Sequence, residues 1–209
     1  MKKKGLFIAI NAVIAVMVAV AYLYMFFRWS NGGNFSSAGL MTLKYFTVLS
    51  NLLEGAASLL CVIFYIKGTI PKWLAVLKYA SAVSVGLTFF TVMLFLGPVF
   101  GYPGMFMGAN LAFHLIVPVI SMVEYVLNSD YRVPGLVDSL ISVVPMILYG
   151  IFYVANILIN GMGGGPNTND WYGFAFMGFP ASYLVFVFIL AVTWLMAYIF
   201  LRLKKKLNK

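Results

Sequence analysis

Six long apolar stretches decide what this chain can fold into. A membrane-spanning helix needs about 20 consecutive apolar residues, and only 9% of the residues are charged. A soluble domain carries about 25% charged residues, so this chain lacks the polar surface that water requires. The sequence therefore predicts an all-α fold, a single polytopic transmembrane helix bundle over residues 1–209. Its predicted spans are about 5–27, 44–66, 73–97, 108–127, 138–158 and 180–201.

The first apolar stretch also resembles a secretory signal peptide. It follows the basic sequence "MKKK" and contains "AVA" at 19–21, which is similar to a cleavage site. The apolar run continues through "YLYMFF" to Phe27, however, well past a normal signal sequence. We therefore predict a retained helix; cleavage would leave five spans.

The basic residues predict the orientation of the bundle rather than a nucleic-acid partner. The net charge is +9, but the cations cluster at the two chain ends and in alternate connectors. Cytoplasmic segments are enriched in Lys and Arg, which predicts cytoplasmic termini and, we expect, a plasma-membrane location. Only Arg28 and Lys44 are then external, together with the two long loops 28–43 and 159–179. The other twelve cations are Lys2, Lys3, Lys4, Lys67, Lys72, Lys78, Arg132, Arg202, Lys204, Lys205, Lys206 and Lys209.

Neither the single cysteine nor the glycine-rich segment indicates a cofactor. Cys61 has no second cysteine with which to form an internal disulfide or a cysteine-built metal site. The segment "GMGGGP" does not follow a predicted strand, so we interpret it as a flexible connector rather than a phosphate-binding loop. We expect no metal ion and no cofactor.

Two of the predicted spans carry polar residues along one helical face. Steps of three and four residues keep side chains on the same face of a helix. Lipid rejects such a polar seam, so the simplest packing turns both seams toward the bundle interior. The second span has Lys44, Thr47, Asn51, Glu54, Ser58, Cys61 and Tyr65; the fourth has Asn110, His114, Ser121, Glu124 and Asn128.

The ionisable members of these seams are the functional candidates. Ser, Thr and Asn in membrane helices commonly bond to a backbone carbonyl or a neighbouring helix, whereas an ionisable group within the membrane is expensive and usually functional. Glu54 lies near the predicted midplane. Glu124 is close to the cytoplasmic end, and we interpret it as a solvated end residue. His114 is the only histidine in the chain, and a structural role remains the alternative for it.

Predicted depth pairs His114 with a hydroxyl on the other seam. Thr47 is about 4.5 Å below Lys44, and His114 is about 6 Å below Asn110, at 1.5 Å per helical residue. Glu54 is about 10 Å deeper than Thr47, so it cannot complete a compact triad. A hydroxyl becomes a good nucleophile when a base removes its proton, and histidine is the residue suited to this near neutral pH.

Two segments of these spans resemble a known family. "KYFTVLSNLL" in the second span and "FHLIVP" in the fourth are similar to the androgen-induced and androgen-dependent membrane proteins and their bacterial Pr6Pr-type relatives. Those are six-helix proteins with an intramembrane threonine–histidine hydrolase site, and their characterised eukaryotic members hydrolyse fatty acid esters of hydroxy fatty acids. The resemblance covers about forty residues and places the nucleophile at Thr47 and the histidine at His114.

The resemblance implies hydrolysis of a lipid or fatty-acyl ester drawn from the bilayer. His114 would deprotonate Thr47, which would attack the ester carbonyl, and would then activate water. We expect Asn110 to orient the imidazole and Asn51 to bond the substrate or the oxyanion. Glu54 is a further, weaker candidate for orienting the substrate.

Two other functions remain open at this stage. Glu54, His114 and Glu124 could form a proton relay in a small proton-coupled transporter or channel. The chain has neither the repeated halves nor the matched broken helices that many transporters show. The third alternative is a non-catalytic membrane scaffold whose seams only hold helices together.

Overall fold

The computed structural model describes residues 2–27, 38–164 and 168–207. Of the described residues, 82% are helical and none is in a strand. Most of the predicted loop 28–43, part of the "GMGGGP" segment and Lys209 lie outside them. The predicted fold class is confirmed, because six of the described helices are long and apolar enough to cross a membrane. They are α1 Lys4–Phe27, α2 Phe46–Ile66, α3 Lys72–Phe100, α4 Ala109–Leu127, α5 Leu136–Asn160 and α6 Ala181–Leu207.

The helix boundaries differ from the prediction at Lys44. This residue closes a short 3₁₀ helix, Gly39–Lys44, and Tyr45 is extended before α2 begins. Lys44 is therefore not the first member of the α2 seam. Two spans also contain a π-helical segment, Val92–Leu96 in α3 and Ala112–Ile116 in α4. Such segments add a residue to one helical turn and occur frequently at functional sites.

The third helix is the centre of the bundle. It packs against α2, α4, α5 and α6, whereas α1 packs against α2 and α4. Its segment 80–86 reads "ASAVSVG", and every residue in that segment is buried. Small side chains allow membrane helices to approach closely, which explains why this helix has neighbours on all sides.

The two ends of the bundle are each marked by a tyrosine hydrogen bond. At one end, which we call the Trp171 end, the Tyr149 hydroxyl donates to the carbonyl of Lys44 at 2.7 Å. At the opposite end, which we call the Tyr131 end, Tyr131 donates to Asn11 Oδ1 at 3.3 Å. The beginning of α1 lies at the Tyr131 end, where the Phe7 ring packs against Tyr131. The end of α6 lies there too, since Lys204 reaches the end of α4.

The segment 168–177 is folded onto the Trp171 end by one carboxylate. Asp170 accepts hydrogen bonds from the hydroxyl of Tyr153 and from the backbone N–H groups of Ala175 (3.1 Å) and Phe176 (2.8 Å). The backbone N–H of Phe46, at the start of α2, donates to the Tyr172 hydroxyl at 3.1 Å. The segment is thereby attached to both α5 and α2, and it covers their ends.

Replacing Gly55 with alanine is expected to destabilise the protein. A Cβ at this position would lie 2.8 Å from Val18 Cγ1 and 2.9 Å from Val18 Cβ. Val18 is itself buried and branched, so it cannot move aside, and overpacking of this kind costs about 1–3 kcal/mol. Gly5→Ala is the control, because nothing lies within 4 Å of a Cβ there. Thermal unfolding in detergent should show a lower midpoint for Gly55→Ala only; equal midpoints would contradict the close α1–α2 crossing.

Candidate functional site

The polar seam of α2 faces the interior of the bundle, as its periodicity predicts. The buried residues of the seam are Asn51, Glu54, Ser58 and Cys61. Thr47, at the start of α2 nearest the Trp171 end, is half-buried. On α4, His114, Ser121 and Glu124 are also buried. The seams therefore contribute a polar interior to an otherwise apolar bundle.

One amide joins the two seams at the level of Thr47. Asn51 Nδ2 donates to the carbonyl of Thr47 at 2.8 Å and to the carbonyl of Phe113 at 3.1 Å. Because one nitrogen bonds both carbonyls, the Thr47 carbonyl on α2 and the peptide next to His114 on α4 lie side by side where the two helices meet. This link agrees with the equal depth of Thr47 and His114 that residue counting predicts.

The imidazole of His114 is held by a backbone carbonyl. It lies within the π-helical segment of α4, and its Nδ1 is 2.7 Å from the carbonyl of Met105. A carbonyl only accepts hydrogen bonds, so Nδ1 carries the proton, and Nε2 of the neutral ring is left with a free lone pair. The predicted orienting residue, Asn110, is thus replaced by Met105, whose carbonyl has no side-chain signature in a sequence.

The hydroxyl of Thr47 has no hydrogen-bond partner among the described residues. Among the described residues, neither Thr47 Oγ1 nor His114 Nε2 makes a hydrogen bond. The predicted pair is therefore not directly bonded in this conformation. Catalytic hydrogen bonds are often long without substrate and tighten when substrate binds.

Asn51 cannot donate to an oxyanion in this conformation. A side-chain amide has two N–H bonds, and both point to the Thr47 and Phe113 carbonyls. Its Oδ1 is buried and has no donor among the described residues. The predicted oxyanion role is corrected: Asn51 positions α2 against α4.

Glu54 belongs to a separate charged cluster. It pairs with the ammonium group of Lys78 and accepts hydrogen bonds from Ser58 (3.2 Å) and Ser81 (2.5 Å). Its described partners are therefore on α2 and α3 and do not include Thr47 or His114. The weak prediction that Glu54 orients the substrate has no support in these contacts.

Lys78 is not the interfacial cation that the charge pattern suggests. It lies about 9 Å along α3 from the first residue, Lys72, and it is fully buried. Besides Glu54, its ammonium group donates to Ser58 at 2.6 Å and lies 3.5 Å from Glu124 Oε2. A cation between two carboxylates explains how three ionisable groups are accommodated away from water.

Glu124 is likewise buried and not a solvated end residue. Only 5% of its surface is exposed, and its Oε1 accepts from Asn11 at 3.0 Å and from Asn128 at 3.1 Å. Its position near the helix end suggested access to water, but α1 covers it. Asn11, which the sequence analysis missed, is the polar residue in the middle of an apolar α1.

The end of α4 is capped by a lysine from α6. Lys204 Nζ donates to the carbonyls of Tyr125 (2.8 Å) and Asn128 (2.6 Å), and it is buried rather than solvated. A cation at the C-terminal end of a helix satisfies free carbonyls and complements the helix dipole. Nearby, in the connector after α4, burial raises the pKa of the Tyr131 phenol well above its usual value, so this group remains a hydrogen-bond donor.

Comparison with known proteins gives no match to a family model, to a curated protein or to a solved structure. Residues 2–27, 38–164 and 168–207 contain no group of three or more His, Cys, Asp or Glu residues that could hold a metal ion. The candidate site is therefore defined by its own geometry: a free hydroxyl on Thr47, an imidazole on His114, and the Asn51 amide between their helices.

Proposed function

We propose that this protein is an intramembrane hydrolase of lipid-type carboxylic esters. Thr47 Oγ1 is the nucleophile and His114 Nε2 is the general base. The observation that supports the proposal is the Asn51 amide, which bonds the carbonyls of Thr47 and Phe113 and so links the hydroxyl-bearing turn of α2 to the imidazole-bearing turn of α4.

The tautomer of His114 is the one that a general base needs. The Met105 carbonyl keeps the proton on Nδ1 and leaves Nε2 free to accept one. In hydrolases with a hydroxyl nucleophile, a third group that orients the base in this way is a recurring part of the site. Here a backbone carbonyl would supply that function.

The reaction then proceeds in two balanced steps. Nε2 takes the proton of Thr47 while Oγ1 bonds the ester carbonyl carbon; the C–O bond to the alcohol breaks, and the alcohol leaves with that proton. In the second step Nε2 removes a proton from water, whose oxygen attacks the acyl-threonine. The free acid leaves, and Thr47 recovers its proton from His114.

The surroundings favour a substrate with a long acyl chain. The half-buried Thr47 lies at the edge of a bundle whose outer faces are apolar. An acyl chain can remain among apolar side chains or lipid while its ester reaches the polar seam. We infer cytoplasmic termini, because the excess of cations in alternate connectors favours that orientation, and we expect the plasma membrane as the location.

A fluorophosphonate probe tests for an activated threonine. The purified wild-type protein should be labelled covalently, since the probe reacts with hydroxyl nucleophiles that a base activates. Thr47→Ala and His114→Ala should each lose the label, whereas Thr193→Ala, the same change in α6, should keep it. Labelling that persists in both Thr47→Ala and His114→Ala would exclude the proposed pair.

The proton-coupled transporter is the second candidate. The observation in its favour is the buried series Glu54, Lys78 and Glu124, which links α2, α3 and α4. It differs from the predicted relay, since Glu54 is bonded to Lys78 and not to His114. Loss of proton-linked flux in Glu54→Gln, with no esterase activity in the wild type, would favour the transporter.

A further inference from the structure

A cavity of about 500 Å³ opens at the Trp171 end beside the start of α2. It lies between the 3₁₀ helix Gly39–Lys44, α2, α5 and the segment 168–171. Half of its lining residues are apolar, and the others are Lys44, Asn156, Thr168, Asn169 and Trp171. The apolar side chains that line it are Leu40, Met41, Leu43, Leu49 and Phe152.

The ammonium group of Lys44 has no counter-charge among the residues that the structure describes. Within the described part of the chain it contacts only aromatic faces, at 5.1 Å from the Tyr45 ring centre and 5.7 Å from that of Trp171. Ring faces attract a cation but do not neutralise it. No carboxylate of a described residue lies within 4.0 Å of it.

The acidic side chains of this protein are all engaged elsewhere. The chain has five Asp and Glu residues, and every one of them is described. Two surround Lys78, and the other three bond to a tyrosine, an arginine or backbone N–H groups. They are Glu54, Glu124, Asp130, Asp138 and Asp170. An anion that neutralises Lys44 must therefore come from outside these side chains.

A second polar group in the cavity also lacks a partner. Asn156 lines the cavity from α5; its Oδ1 accepts from Asn160 at 2.9 Å, while its Nδ2 has no acceptor among the described residues. An amide donor without an acceptor is costly to bury. Lys44 thus offers one positive charge at the cavity, and beside it Asn156 holds an unpaired amide N–H that is closed off from the cavity in this conformation.

We propose that this cavity binds a single-chain amphiphilic carboxylate. The carboxylate lies against Lys44 Nζ, the Asn156 side chain turns to donate its amide N–H to it, and the alkyl chain lies against Leu40, Leu43 and Phe152. One cation and one amide match a monoanion; a phosphate dianion is usually met by several cations or by arginine forks. Cavities of about 300–1,000 Å³ accommodate ligands of this size.

This binding site does not depend on the proposed hydrolysis. The carboxylate would bind whether or not Thr47 is a nucleophile, so binding and catalysis can be measured separately. If both proposals hold, the ligand belongs to the same chemical class as the acid that ester hydrolysis releases, and Lys44 is only three residues from Thr47.

Equilibrium binding of radiolabelled decanoate tests the proposal. The wild-type protein is placed in phosphatidylcholine nanodiscs at about pH 8, where the carboxyl group is ionised, and binding to empty nanodiscs is subtracted. We expect saturable binding with one decanoate per protein. Decanol, which has the same chain without the charge, should bind at least about tenfold more weakly, because charge-assisted hydrogen bonds are the strong ones.

Variants at the two polar groups should separate charge from packing. Lys44→Met should weaken decanoate binding about tenfold, and Lys44→Arg should stay within about threefold of the wild type. Asn156→Leu should weaken binding about threefold. Lys67→Met is the control, because Lys67 lies at the opposite end of α2 and does not line the cavity.

Three results would overturn the proposal. The first is decanol binding as tightly as decanoate to the wild type, a comparison that needs no variant. The second is unchanged binding in both Lys44→Met and Asn156→Leu. The third is displacement of decanoate when phosphatidylglycerol replaces phosphatidylcholine, since the site would then bind the phosphodiester of a membrane lipid.

Discussion

Replacing Lys78 with methionine is expected to lower the free energy of unfolding by about 3–5 kcal/mol. The methionine fills a similar volume, so packing is largely kept. The change removes the ammonium group that contacts Glu54 and lies 3.5 Å from Glu124 Oε2. Both carboxylates would then be buried without a cation. Equilibrium unfolding in mixed micelles measures the loss.

The effect of Lys78→Met should be reversed by neutralising the carboxylates. A triple variant that adds Glu54→Gln and Glu124→Gln should recover most of the lost stability, because replacing a whole buried ionic group is often close to neutral. Lys67→Met, at an exposed site, is the matched single control. A loss below about 1 kcal/mol for Lys78→Met would mean that the ion pairs do not stabilise the fold.

Thr47→Ala is expected to lower ester hydrolysis by about 10³-fold or more, and His114→Ala by about 10²–10⁴-fold. The first change removes the atom that bonds the acyl group, and the second removes the base that activates it. A long-chain ester in detergent or nanodiscs, with release of the acid as the readout, measures both rates.

The double variant gives the sharper result. Residues that act as one unit show strongly non-additive losses, so Thr47→Ala with His114→Ala should be no slower than Thr47→Ala alone. Thr193→Ala, which removes a hydroxyl whose one bond within the described ranges is to the Ile189 carbonyl at 2.7 Å, should keep wild-type activity. Fully additive losses would show that Thr47 and His114 act independently.

The spans and their polar faces are predictable because those signals are local. Mean hydropathy over about 20 residues identifies a span, and the steps of three and four residues in α2 identify the face with Asn51 and Glu54. The residues with which these polar side chains pair cannot be predicted in the same way. The sequence alone did not identify Lys78 as the partner of Glu54, since a periodic pattern specifies a face but not what the neighbouring helix presents to it.

Lys78, Glu124 and Lys204 are buried for one reason. Distance from a span end describes a helix that stands alone in the membrane, and here neighbouring helices enclose all three side chains. In the bundle, α1 covers Glu124, and the long stem of Lys204 brings its ammonium group to the carbonyls that end α4. The run of small residues at 80–86 would have indicated that α3 is central, and with it that Lys78 is enclosed.

The sequence predicts the reactive residues of the site around His114 but not the groups that hold them in place. Thr47 and His114 are of types whose chemistry is evident, and counting residues gives their depth. The groups that hold these two residues are not evident. The Met105 carbonyl belongs to the backbone, and the sequence does not determine which acceptor an amide such as Asn51 bonds. The π-helical segment at Ala112–Ile116 has no simple sequence signature either.

The pairing of Glu54 with Lys78 also bears on how the protein enters the bilayer. These residues belong to consecutive helices, which are joined by the short connector 67–71. A single charge at the centre of an inserting helix costs about 2.5–3.5 kcal/mol on insertion scales. If α2 and α3 enter together as a hairpin, the opposite charges neutralise each other during insertion. The hairpin, and not the single helix, is then the unit of membrane integration.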